Sequence, residues 1–142
     1  MFSFKFAFSS LCLASVLALA ADPTVVIKKT AVVPTSPASG PEMFKQYCAS
    51  CHGVDAKGHG PAVPALKVPP PDLTMLAKNN KGKYPAFRVQ TAIQGDTALT
   101  AHGNKDMPIW GTLFREMSSS NDSRVAARIS NLSSYIETLQ QK

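Results

Sequence analysis

The chain has 142 residues, 44% of them hydrophobic and 17% charged, with a net charge of +6. That length suits one domain and not comfortably two, and the apolar content excludes a disordered chain. The positive excess comes from dispersed lysines (Lys45, Lys57, Lys67, Lys78, Lys81, Lys83, Lys105). No basic run is interleaved with aromatics, so nucleic-acid binding is not expected.

The N-terminus carries one Lys (Lys5), then an uncharged run from Phe6 to Ala21, with the small-x-small pattern Ala18-Leu19-Ala20 near its end. Residues 1–21 have the form of a cleaved secretory signal peptide. The run is shorter than the roughly 20 residues of a membrane span, so no stable membrane insertion is expected unless the signal is retained. Cys12 follows Leu11, where lipid modification would call for a small residue. Residues 22–39 are rich in Pro, Thr, Ser, Val and Ala without helical period, and are expected to form a flexible leader, part of it able to pack on the domain. The folded domain is expected over residues 40–142.

Gly40-Pro41-Glu42 opens a first helix, with Pro suited to its first turn and Glu to its positive end. The helix runs through Met43, Phe44 and Tyr47 into Cys48-Ala49-Ser50-Cys51-His52. C-x-x-C-H is the attachment signature of c-type haem. Two thiols three positions apart can each add to a vinyl group of one porphyrin, and the adjacent His52 then falls under the iron as an axial imidazole. A thioredoxin-like dithiol would need a βαβ setting and gives His52 no role. A zinc site lacks a second Cys/His pair. The motif occurs once, so one haem c is expected.

Proline-rich turns follow: Gly58-His59-Gly60-Pro61, Pro64 and Pro69-Pro70-Pro71. Asp72 can cap a short helix over Leu73–Ala77. A third helix fits Pro85–Gln94, with Ala86, Val89 and Ile93 on one face and Gly95 as its stop. The clearest helix spans Ser123–Gln140, where Val125, Ile129, Leu132, Ile136 and Leu139 recur at helical spacing. Nothing inside the domain alternates as a strand does. The expected fold is all-α.

The sixth position of the iron has several candidates. Met43 shares the helix of the motif, and Met75 and Met117 suit packing. Met107 stands in Asp106-Met107-Pro108-Ile109-Trp110-Gly111, where the proline disfavours helix at Met107 and stiffens a loop able to hold a thioether. Met107 is the preferred ligand. His102 is the runner-up and would give a bis-imidazole haem of lower potential. His59 follows the motif too closely.

With these residues placed, the stretch from Gly40 to Gln140 resembles the class I c-type cytochromes, the small monohaem bacterial kind. Gly40, Phe44 and Cys48 are spaced by four, and Tyr135 lies on the last helix. The resemblance implies that Gly40 and Phe44 let the first helix cross the last closely, with Tyr135 as aromatic partner. It implies a cytochrome c-like fold of three to five helices wrapped around one covalently attached haem. It also implies that the Gly60-Pro61 turn supplies the acceptor for the proximal imidazole, making Pro61 a haem-pocket residue. Met107-Pro108-Ile109-Trp110-Gly111 resembles a segment common in bacterial members. Trp110 either lies near the haem with its indole N–H on a propionate or packs in the core. Arg88, Tyr84 and Lys81 are further propionate candidates among which the sequence does not choose.

The function so implied is one-electron transfer in the periplasm by a monomer. Its partners would be redox proteins with acidic docking surfaces, met by a positive face around the haem edge. The alternatives are a haem subunit of a dehydrogenase or oxidase complex, and a haem enzyme or sensor with an open sixth site. No catalytic residue is assigned.

Overall fold

The structure is a computed structural model that describes residues 33–95, 107 and 109–141. The expected signal peptide, most of the expected leader, His102 and Pro108 lie outside the described residues.

The architecture is all-α, with no strand among the described residues. Helix α1 (Gly40–Met43) continues through a π-helical turn (Phe44–Cys48) into α2 (Ala49–His52), so residues 40–52 form one helical run. The Ser39 hydroxyl caps its start by accepting from the Glu42 N–H at 3.3 Å. Gly53, at φ +79°, ends it where most side chains would be strained. Three 3₁₀ turns follow, at Val63–Ala65, Leu73–Met75 and Lys78–Asn80. Asp72 caps the second as the sequence implied, its carboxylate accepting from the Thr74 N–H at 2.8 Å. Helix α3 (Ala86–Gln94) ends at Gly95 in the left-handed region. Helix α5 (Asp122–Thr138) is capped by Asn121, which accepts from the Arg124 N–H at 3.0 Å.

Helix α4 (Trp110–Met117) is not among the helices expected from the sequence, and it begins three residues after Met107, where a rigid loop is expected. Trp110, Phe114 and Met117 recur three and four apart, which is a helical stripe. Gly111 and the Ser118-Ser119-Ser120 run that follows obscure it by composition. The glycine is needed for close approach, since a Cβ at Gly111 would stand 2.4 Å from the Gln94 carbonyl oxygen at the end of α3.

Helices α1 and α5 cross at Gly40. A Cβ there would stand 2.5 Å from the Asn131 carbonyl oxygen and 2.6 Å from the Tyr135 Cβ. One turn on, Phe44 meets Tyr135 with ring centroids 5.5 Å apart. The close crossing that the resemblance implied for Gly40, Phe44 and Tyr135 is therefore present. The core it closes contains Met43, Phe44, Phe114 and Leu132, all buried. Residues 33–39, which composition assigned to the leader, run against this core. Thr35 is buried and bonded to Arg128 of α5, and the Asn131 side chain donates to the Pro37 carbonyl at 2.9 Å.

Replacing Gly40 by Val forces the crossing apart at two backbone and side-chain contacts. The expected loss is about 1–3 kcal/mol of stability, read as a lowered denaturant midpoint at unchanged slope.

Candidate functional site

The helical run carries the C-x-x-C-H residues to the inner edge of a cavity of about 210 Å³. Native interiors seldom leave voids much larger than a water molecule, and an engineered apolar void of roughly 150 Å³ already admits a small aromatic guest. A space of this size beside the core of a small domain is large enough to admit a ligand.

Cys48 and His52 border it from the first helical run and Met107 from the segment before α4. Leu73, Leu76, Val89, Ile93 and Ile136 supply apolar walls. Asn79, Asn80 and Arg88 are exposed polar residues among the lining. A thiol, an imidazole and a thioether thus share one apolar chamber, a donor set that fits a thioether-linked, sulfur- and nitrogen-ligated haem.

The π-helical turn ends at Cys48, and such turns are frequent at functional sites. Cys51 lies three residues on, half-buried, and is not among the described residues that line the cavity. Residues i and i+3 share a helix face, so both thiols are presented along one side of the run. Both are free of disulfide. Burial, with a smaller contribution from Cys51, pushes the Cys48 thiol up to about 12. A dithiol oxidoreductase or a thiolate metal site needs the opposite shift.

Three backbone bonds pin the loop after the motif to the helix: Gly60 N–H to the Cys51 carbonyl at 3.0 Å, Ala62 N–H to the Ser50 carbonyl at 2.9 Å, and Gly58 N–H to the His52 carbonyl at 2.7 Å. A Cβ at Gly60 would lie 2.3 Å from the Ser50 carbonyl oxygen, so the loop sits this close only because residue 60 is glycine. The Gly60-Pro61 turn expected beside the motif is present, and the Pro61 ring itself is exposed.

Trp110 is buried in an aromatic cluster, 5.1 Å from Tyr47 and 5.7 Å from Phe114 between ring centroids. It is not among the described residues lining the cavity, and core packing accounts for its position. Of the three propionate candidates, Arg88 alone borders the cavity. Tyr84 donates to the Ser133 carbonyl at 2.9 Å, and burial lifts its hydroxyl above the usual phenol range. Lys81 is exposed, with φ +56°. Met43 is wholly buried, His59 is exposed, and the Met117 sulfur lies 3.6 Å from the Tyr47 hydroxyl.

The family model described as cytochrome c oxidase, cbb3-type, subunit III matches residues 35–127, more than half of the chain. No curated protein and no solved structure matches.

Replacing Cys48 and Cys51 together by Ser should leave an exported product without covalent haem. Haem staining after denaturing electrophoresis and the intact mass check this, and retained haem on the doubly substituted chain would contradict the assignment.

Proposed function

The chain belongs to the family described as cytochrome c oxidase, cbb3-type, subunit III, a family of c-type cytochrome domains carrying covalent haem c, and we propose that this member is a periplasmic one-electron carrier. The observation that carries the reading is an apolar cavity bordered jointly by Cys48, His52 and Met107. Bound haem c supplies an iron that gains and loses one electron. In this reading Cys48 and Cys51 form the thioether tethers, and His52 and Met107 are the axial ligands. His52 sits on a helix end braced by the Gly58–Ala62 loop, and Met107 precedes α4, whose Trp110 is locked in the aromatic cluster. Both ligands are thus held from rigid elements, which suits a group whose geometry must not change with its charge. The apolar walls keep water away and raise the potential.

Charge supports a diffusible carrier. The lysines look dispersed along the sequence, yet Lys78, Lys81, Lys83 and Arg88 all fall in the stretch from Leu73 to Gly95, which has no Asp or Glu. Asn79, Asn80 and Arg88 of the same stretch line the cavity, and Phe87 beside them is 80% exposed. A positive rim with an apolar centre fits the acidic docking surface of a redox protein. Among the described residues no helix is long and apolar enough to cross a membrane. The description of the matching family favours a second reading, a haem subunit held permanently in an oxidase complex. Co-purification at moderate salt separates the two, because transient docking through exposed charges weakens as ionic strength rises.

Two outcomes follow. Met107→Ala should abolish the weak far-red sulfur-to-iron band of the oxidised protein and let the reduced protein bind carbon monoxide. Persistence of that band would reassign the sixth ligand, and carbon monoxide binding by the unaltered protein would favour an enzyme or sensor with an open site. The triple change Lys78→Glu, Lys81→Glu, Lys83→Glu should slow electron transfer with an acidic partner about tenfold or more at low salt, the difference closing at high salt.

A further inference from the structure

Arg128 of α5 is 5% exposed, and among the described residues no carboxylate pairs with it. The only ion pair among the described residues is Arg115 with Asp122. The guanidinium donates to the Thr35 hydroxyl at 3.1 Å and to the Thr35 carbonyl at 2.8 Å, and lies 5.8 Å from the centre of the Phe114 ring. Its Nε has no hydrogen-bond partner. Glu42, which accepts from the Ser36 N–H at 3.4 Å, is exposed.

A buried cation with only neutral partners is costly to fold around. Its field, however, acts through protein rather than water and is little screened by salt. Hydrogen bonds link its partner Thr35 to the helical run that carries the motif. Thr35 Oγ1 is 2.9 Å from the Tyr47 hydroxyl, which donates to the Val33 carbonyl at 2.8 Å. This chain of bonds is polarised outward from the guanidinium. Tyr47 is covalently followed by Cys48, the cavity-lining thiol. Phe114 in turn packs against Trp110.

We propose that Arg128 is a potential-setting residue: an uncompensated buried charge, roofed by the 33–39 segment, that destabilises the oxidised haem iron and raises its reduction potential. The oxidised iron carries one more positive charge than the reduced, so a fixed nearby cation penalises it more. The inference rests on the cavity being the haem site. A colourless product would fail that reading, whereas a coloured protein with unchanged potential fails this one alone.

The test compares Thr35→Asp with Thr35→Asn in the haem-loaded full chain, two side chains of nearly equal shape that differ in charge. The aspartate compensates Arg128 in place. Its midpoint potential should fall below that of the asparagine variant, and the gap should persist in high salt. Arg128→Met should shift the potential the same way, with the sulfur-to-iron band retained as evidence of intact ligation. Equal potentials for the Asp and Asn variants would overturn the proposal, as would a gap that vanishes in high salt. Should Arg128→Met yield no folded protein, the Asp/Asn pair decides alone.

Discussion

The constraint on which the rest depends is that this domain cannot fill its own interior with side chains. A chain of about 100 folded residues buries only some two thirds of its surface, and here part of the available volume is a cavity. The helices are therefore held by close approaches as well as by the apolar cluster around Phe44, Phe114 and Leu132. Gly40 lets α1 touch the backbone of α5, Gly111 lets α4 touch the end of α3, and Gly60 lets the loop after the motif lie on the helix that carries it. At each of the three, an added methyl would meet backbone oxygen. In the proposed reading haem c fills that space and completes the core.

Much of this was legible in the sequence because it depends on short-range chemistry. The two thiols and the imidazole are contiguous, so Cys48, Cys51 and His52 announce themselves. Gly95 as a helix stop, Asp72 as a cap and the apolar stripe of α5 follow from local rules that tertiary packing did not override. What escaped depends on partners distant in sequence. Helix α4 has a readable stripe but poor composition. The 33–39 segment has no period at all, and packs through single hydrogen bonds such as Asn131 to Pro37. Arg128 left a signal that was passed over: it lies three residues after Val125 and four before Leu132, inside the apolar stripe. A charged residue at such a position is either paired or purposeful.

Two kinds of positive charge are thereby separated. The lysines between Leu73 and Gly95 are in water, where their field reaches about 8–10 Å at physiological salt and bears on the rate of encounter. Arg128 is shut away from solvent, where its field bears on the energy of whatever charge the cavity holds. In the proposed reading the first tunes how often a partner arrives and the second how willingly the electron moves. Because salt weakens one and spares the other, the two effects can be tuned by substitution independently, which a single surface patch would not permit.

The burial of Cys48 shows why a tethered haem suits this site better than free thiol chemistry. An apolar wall drives the thiol toward about 12 and so suppresses the thiolate on which disulfide exchange and metal ligation depend. A thioether has neither a proton to lose nor a charge to solvate, so the same wall imposes no penalty on it. The environment that disables Cys48 as a nucleophile is the one in which its alkylated sulfur is at home.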